Sequence, residues 1–225
     1  MPAAADLRPL LQATALPQEL VDELLGTASP IWLMSAPASL LAADIALAHP
    51  PLAPEEVRAI AHPLTTGLTR ISVVAHDRQG LLADTAGALA AEGLSVMGAS
   101  AMTWPGRGLA VHALTVPDPA WGSDRWTALG HRLRRPAHVD LAFLPLGGAT
   151  VSAVGQGMGR CLLTIRAPDQ VGLLWSICRW LADTGIGIEA ARVGSRGGLA
   201  EDHFLVVGVP EVAALTAHLG GGPRR

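Results

Sequence analysis

The stretch Ala75-His76-Asp77-Arg78-Gln79-Gly80-Leu81-Leu82 decides the fold, because the chain writes it twice. Its twin is Ala167-Pro168-Asp169-Gln170-Val171-Gly172-Leu173-Leu174, 92 positions later. Each follows an alternating β-branched run and opens an amphipathic pattern. Aligning 71–116 with 163–208 needs no gap and matches ten identities: Ala75, Asp77, Gly80, Leu81, Leu82, Leu89, Ala90, Gly93, Ala99 and Gly106. A repeat found this way constrains the fold more than any single motif.

The pattern within each copy is strand, helix, strand, strand, helix. In the first copy these run through Arg70–Ala75, Gly80–Ala91, Leu94–Met102 and Leu109–Val116, with a helix over Ser123–Arg135 and a last strand over Val139–Leu144. Gly93 stands where a helix stop takes a left-handed residue. In the second copy the elements are Cys161–Ala167, Gly172–Asp183, Ile186–Gly194, His203–Val209 and a short helix within Pro210–Leu219. No last strand follows, so Thr150–Val154 is expected to occupy the vacant edge beside Cys161–Ile165, since unpaired edges are usually covered. The fold class is α+β: two ferredoxin-like β-α-β-β-α-β units behind an N-terminal helical segment. The divisions expected are 1–66, 67–145 and 146–225.

Residues 1–66 read as helices. Pro17 precedes an early acid and Gly26 follows the last apolar residue, which are start and stop signals. A second helix is expected over Ala38–Leu47. A third is expected from Pro54 to His62, with Glu55 and Glu56 at its positive end. Thr65-Thr66-Gly67 reads as a linker.

Composition removes several functions. The net charge is −3, which gives no global attraction to nucleic acid or to a membrane surface. Basic residues lack the aromatic interleaving of single-strand binders. Lys, Asn and Tyr are absent, so no site uses a Lys Schiff base, an Asn amide or a Tyr acid. The uncharged stretch between Asp140 and Arg160 is broken by Pro145 and five glycines, against a membrane span. The opening residues lack the regions of a secretory signal, and Cys161 and Cys178 read as reduced and buried, so a cytoplasmic location is expected.

An alternating strand, Asp-x-x-Gly-Leu-Leu, a helix ending at Gly and an apolar hairpin together resemble the ACT family of small regulatory ligand-binding domains. Two copies cover about residues 68–219. Asp77-Arg78-Gln79-Gly80-Leu81-Leu82-Ala83 is similar to the ACT repeats at the C-terminus of bacterial PII-protein uridylyltransferases, and Pro30–Arg58 resembles the segment that precedes them. That resemblance implies sensing of glutamine or another amino acid on behalf of attached catalytic domains. It implies no cofactor. The Gly-Ser with paired carboxylates that nucleotidyl transfer needs is missing, as are the separated His, His-Asp and Asp ligands of an HD hydrolase. His76-Asp77 falls in a loop and reads as no metal pair. A non-enzymatic regulatory protein is therefore expected. The competing reading is a scaffold of degenerate ACT folds that dimerises or docks on a protein partner.

The expected ligand site is the two strand-to-helix loops: Asp77, Arg78, Gln79, Gly80, Leu81 and Leu82 in copy one, and Asp169, Gln170, Val171, Gly172 and Leu173 in copy two. Each Asp is read as a helix cap. Amides at a helix start attract a carboxylate, a Gly admits the ligand to the backbone, and Arg78 can pair with a carboxylate or lie solvated. Trp175 and Trp180 lie about 140° apart on their helix, where copy one has Ala83 and Ala88. They are expected at a contact between the repeats or between subunits in a homo-oligomer, or else over their own sheet.

Overall fold

The computed structural model describes residues 4–64, 67–118, 122–135, 139, 141–143, 145 and 147–220. Four helices come first: α1 (Ala4–Gln12), α2 (Gln18–Thr27), α3 (Pro30–Leu33) and α4 (Ala38–Ala46). Ser29 caps α3 by accepting from the Ile31 amide at 3.3 Å, with Pro30 at the first helical position, where its missing N–H costs nothing.

The expected third helix is instead a strand, β1 (Val57–Pro63). It runs antiparallel to β2 (Leu68–His76), with Val57 opposite Ala75 and Pro63 opposite Thr69. Glu55 sits in the left-handed region at φ 64°, which breaks a helix at its first turn. The favourable acids at Pro54 were outweighed by the need to cover β2's edge, and Pro63 is tolerated because β1 is itself an edge strand. Of the expected linker, Thr65 and Thr66 lie outside the described residues.

The remaining elements are α5 (Leu81–Ala90), β3 (Gly98–Trp104), β4 (Leu109–Pro117), α6 (Ser123–Leu133), β5 (Thr150–Gly157), β6 (Arg160–Pro168), α7 (Leu173–Asp183), β7 (Gly187–Arg196), β8 (Leu199–Val207) and α8 (Val212–His218). All strands join one antiparallel sheet in the order β1-β2-β4-β3-β7-β8-β6-β5. Of the expected last strand of copy one, the described residues Val139 and Leu141–Phe143 are not in a strand, and Asp140 and Leu144 lie outside the described residues. Both ferredoxin-like units take their edge strand from the chain that precedes them, β1 in one and β5 in the other. The second of these was legible in Thr150–Val154.

The units are related by a pseudo-twofold axis. Ser100 of β3 lies opposite Arg192 of β7, its own counterpart 92 positions on, while Gly98 faces Gly194 and Met102 faces Ala190. The repeats therefore fuse edge to edge, and α5 and α7 lie side by side above the junction. The gap-free alignment fails after the first hairpin. Leu163 follows Ile71 by 92 positions, but their partners Phe204 and Leu114 differ by 90. Copy one turns through Pro105–Gly108, whereas copy two turns through Gly197 and Gly198. Gly198 thus corresponds to Gly108, left-handed like it at φ 58° and 77°, and the match to Gly106 was a coincidence.

Two cores sandwich the sheet. Helices α5–α8 cover one face, with Leu82, Leu89, Leu114, Leu163, Ile177, Leu181 and Phe204 buried. Helices α1–α4 cover the other face of copy one through Leu7, Leu24, Trp32 and Ile45, packed on Val74, Met102, Trp104 and Val111. A polar clamp holds α4 there. The buried Asp44 carboxylate accepts from Arg70 and from Ser72 Oγ, the latter at 2.6 Å, and Arg70 also donates to Ser100 Oγ at 3.1 Å. No helix among the described residues is long and apolar enough to cross a membrane.

Candidate functional site

In both repeats the loop enters its helix through a left-handed glycine. Gly80 has φ 79° and Gly172 has φ 88°. Each is the residue before the first helical turn, and neither helix has a side-chain cap there. The expected Asp caps are therefore replaced. Asp77 instead accepts from Thr103 Oγ1 at 3.1 Å, and Asp169 accepts from Ser195 Oγ, the counterpart of Thr103. The Asp amides complete the clamp by donating to Gly108 and Gly198 carbonyls at 2.8 and 2.9 Å. Each loop is thus pinned to the hairpin beside it. Gly is required for its φ, not for room: a Cβ on Gly80 would meet only ordinary contacts with Ala182 and Arg179.

The two loops border cavities of unequal size. Of the two cavities at equivalent places in the repeats, the larger, at the Asp77 loop, measures about 190 Å³; a separate one of about 570 Å³ also borders Asp77, Arg78 and Leu81, against Leu52, Val57 and Arg134. Asp77, Arg78, Gln79, Gly80, Leu81 and Leu82 all line the first of these, together with Ala83. Ala101–Thr103 of β3 and His112 of β4 form its floor, and Cys178, Ala182 and the Gly185–Ile188 segment of the second repeat close it. At the Asp169 loop only about 10 Å³ remains. Asp169, Gln170, Gly172 and Leu173 line that remnant with Trp175; Val171 does not and is 42% exposed.

The linings of the two cavities differ at one large side chain. Trp175 stands where copy one has Ala83. Its indole is 8% exposed and lies against Gly87 of α5, so close that a Cβ there would meet its ring carbon at 2.8 Å. The expected burial of this tryptophan between the repeats holds. Trp180 is only half-buried, packed at the margin of the same core.

The polar groups around the larger cavity have specific partners. Arg78 donates to the buried Asp84 carboxylate at 2.6 Å and to the Gln79 carbonyl at 3.3 Å. Its expected freedom to clamp a ligand is thus already shared with Asp84. Gln79 donates through Nε2 to the Ala182 carbonyl, so it joins the two repeats. Leu81 and Leu82 are buried and act as walls.

The sequence reading passed over two further groups. His112 is 5% exposed, lines the larger cavity, and its buried Nδ1 has no hydrogen-bond partner. Burial, helped by the Arg78 charge, lowers its pKa to about 4, so the imidazole is neutral at pH 7. Its counterpart is Asp202, because His112 pairs with Ala101 and Val73 as Asp202 pairs with Val193 and Ile165. Asp202 is 1% exposed, lines the small cavity and accepts from the Gly194 amide at 3.4 Å. Burial raises its pKa to about 7 against that hydrogen bond, with Asp169 and Glu201 adding repulsion. The signal for both was parity: each is the polar residue on the inward face of an apolar strand. The two-residue shift after the hairpin hid their equivalence.

Cys161 and Cys178 are free thiols and buried. Burial, with the Asp202 charge behind it, pushes the Cys178 thiol well above its usual range, which argues against a nucleophile. His76 Nε2 lies 3.2 Å from the Ala53 carbonyl. Among the described residues no group of three His, Cys, Asp or Glu side chains is placed to hold a metal ion.

No family model matches the chain. Over 47 residues it is 47% identical to bifunctional uridylyltransferase/uridylyl-removing enzymes of Burkholderia orbicola strains MC0-3 and AU 1054 and of Burkholderia lata. The match covers 21% of this chain and 6% of each enzyme. Among solved structures, aspartate kinase from Synechocystis aligns with a TM-score of 0.45 at 17% identity, over 68% of this chain and 26% of that one. With its duplicated Asp-x-x-Gly-Leu-Leu loops and two fused ferredoxin-like units, the chain resembles a tandem of ACT domains and matches the uridylyltransferases over a short stretch.

Proposed function

We propose that this chain is a regulatory module that binds one small amino-acid-like metabolite at the Asp77 loop. One observation carries the reading: the larger cavity is walled by both repeats. A molecule held there touches α5, β3 and the end of α7, so its binding free energy stabilises the paired arrangement over any loosened one. A cavity of about 190 Å³ suits such a molecule, since about 150 Å³ accommodates benzene. The first-turn residues Leu82 and Ala83 line it, and helix-start amides favour a carboxylate. Asp77, held by Thr103, is placed for an ammonium group. The Asp169 loop keeps the same backbone as a structural joint, with Trp175 in the ligand's place.

Glutamine is the first candidate, from the resemblance to uridylyltransferase. A thermal-shift screen of the full chain against the proteinogenic amino acids tests the reading. A ligand bound only by the folded state raises Tm by mass action, roughly 2.7 kcal/mol at 100 times Kd. A saturable rise for at least one amino acid is expected. No rise for any of them favours a second reading, in which the chain is a scaffold whose repeats pair only with each other or dock on a protein. The nearly filled second cavity is the observation on that side.

A further inference from the structure

We infer that His112 is the specificity-determining residue of this cavity, selecting a ligand whose far end is uncharged and forms hydrogen bonds, a carboxamide or hydroxyl. The inference rests on the proposed binding at the Asp77 loop and goes on to name the ligand's chemistry.

The cavity has two unlike ends. At the loop end stand charged groups, Asp77 and the Arg78–Asp84 pair. These suit the carboxylate and ammonium common to all amino acids and so distinguish none of them. Ala101, Met102, Cys178, Ile186 and Ile188 make the other walls apolar. Among them stands His112, whose Nδ1 is buried without a partner. A buried polar atom left unpaired costs about 1–3 kcal/mol. A ligand tip that pairs with it recovers that energy, and an apolar tip of the same size does not. A neutral imidazole has one donor and one acceptor nitrogen. Carboxamide and hydroxyl groups answer either tautomer, because each donates and accepts. A charged tip gains no charged partner among the apolar walls, and burying an unpaired charge is costlier still.

Position 112 is also where the repeats diverge in chemistry. Asp202 occupies the same place in copy two, where the Gly194 amide donates to it and only about 10 Å³ of space remains. The polar group in the filled cavity has a partner from the chain. The one beside the larger cavity does not.

Calorimetric titration of the full chain with glutamine, methionine and glutamate tests the assignment, because the three have nearly equal length and differ at the tip. Glutamine is expected to bind at least about tenfold more tightly than either of the others. His112→Leu should bring the glutamine-to-methionine ratio close to one while methionine affinity changes little. His112→Gln, which keeps a donor and an acceptor, should retain the preference even if stability falls. Circular dichroism confirms that each variant is folded, and a role confined to folding would weaken all three ligands together. Methionine binding as tightly as glutamine to wild type, or an unchanged ratio in folded His112→Leu, would overturn the assignment but leave the binding reading standing. Failure of all three to bind wild type would overturn both.

Discussion

The two repeats share a backbone and differ in what fills it. Both hold their loops with the same Asp–hydroxyl clamp and the same left-handed glycine. Where copy one has Ala83 and His112, copy two has Trp175 and Asp202, and the space shrinks from about 190 to about 10 Å³. Their outer sheet faces differ as well. In copy one that face is covered by α1–α4 and carries the buried Arg70–Asp44 pair. In copy two it carries surface pairs such as Arg166–Glu201 at 2.9 Å, with both side chains about half exposed or more. Duplication fixed the hydrogen-bonded frame, and side-chain volume and burial then set the two copies apart.

The largest expected effect contrasts the two sheet faces. Asp44→Ala leaves the Arg70 guanidinium buried without its carboxylate and should cost about 3–5 kcal/mol in denaturant unfolding. Glu201→Ala, on the exposed face, should leave the midpoint nearly unchanged. Equal losses would contradict the contrast.

Next is the pair at the cavity floors, which pulls stability in opposite directions with pH. Asp202 has a folded pKa of about 7, raised from 3.8, so its contribution is full below pH 3.8 and is lost as pH rises to 7. His112 has a folded pKa of about 4, lowered from 6.5, so its contribution is full above pH 6.5 and is lost as pH falls to 4. Between pH 4 and 6.5 the two slopes nearly cancel in wild type. Asp202→Asn removes one of them. Relative to wild type, the variant should gain on the order of 4 kcal/mol from pH 4 to 7, measured by urea unfolding across that range. A pH-independent difference would show that Asp202 does not titrate there.

Trp175→Ala should cost about 3 kcal/mol, at the low end for a large aromatic because the indole keeps some exposure. It should also enlarge the second cavity, seen as a crystallographic void beside Gly87. The smallest effect tests the shared frame. Gly80→Ala and Gly172→Ala each put a side chain at positive φ and should cost about 1–2 kcal/mol. The two costs should agree within a few tenths of a kcal/mol if the backbones are equivalent. A much larger loss at Gly80 would mean that the loop needs glycine for more than its φ.

The duplication was legible because the loop needs Gly at positive φ and Asp for its clamp, and neither requirement tolerates substitution well. Nine of the ten identities fall before the first hairpin turn, where the offset stays at 92. Beyond it, a two-residue difference in turn length moved every later equivalence. β1 was misread because Pro54-Glu55-Glu56 carries local helix-start chemistry, while what decides its state is the bare edge of β2, distant in the sequence. The loop residues expected at a ligand site in copy one line a cavity. Their partners there were not named, since Thr103, His112 and Ile186 reach the site only through strand pairing and the fusion of the two sheets. Arg78 looked free for a ligand because Asp84 follows it by six positions, a spacing that brings them together only when the left-handed Gly80 turns the chain.

The central claim is that one cavity per chain, the one bordered by Ala83, binds a small ligand. Calorimetric titration with glutamine of wild type and of Ala83→Trp tests it most directly, since that substitution gives copy one the residue that fills copy two. The account predicts a stoichiometry of one for wild type and loss of binding, by at least about a hundredfold, in a folded Ala83→Trp chain, because the added indole exceeds the space a bound amino acid would share with it. A stoichiometry of two, or undiminished binding in Ala83→Trp, would contradict it.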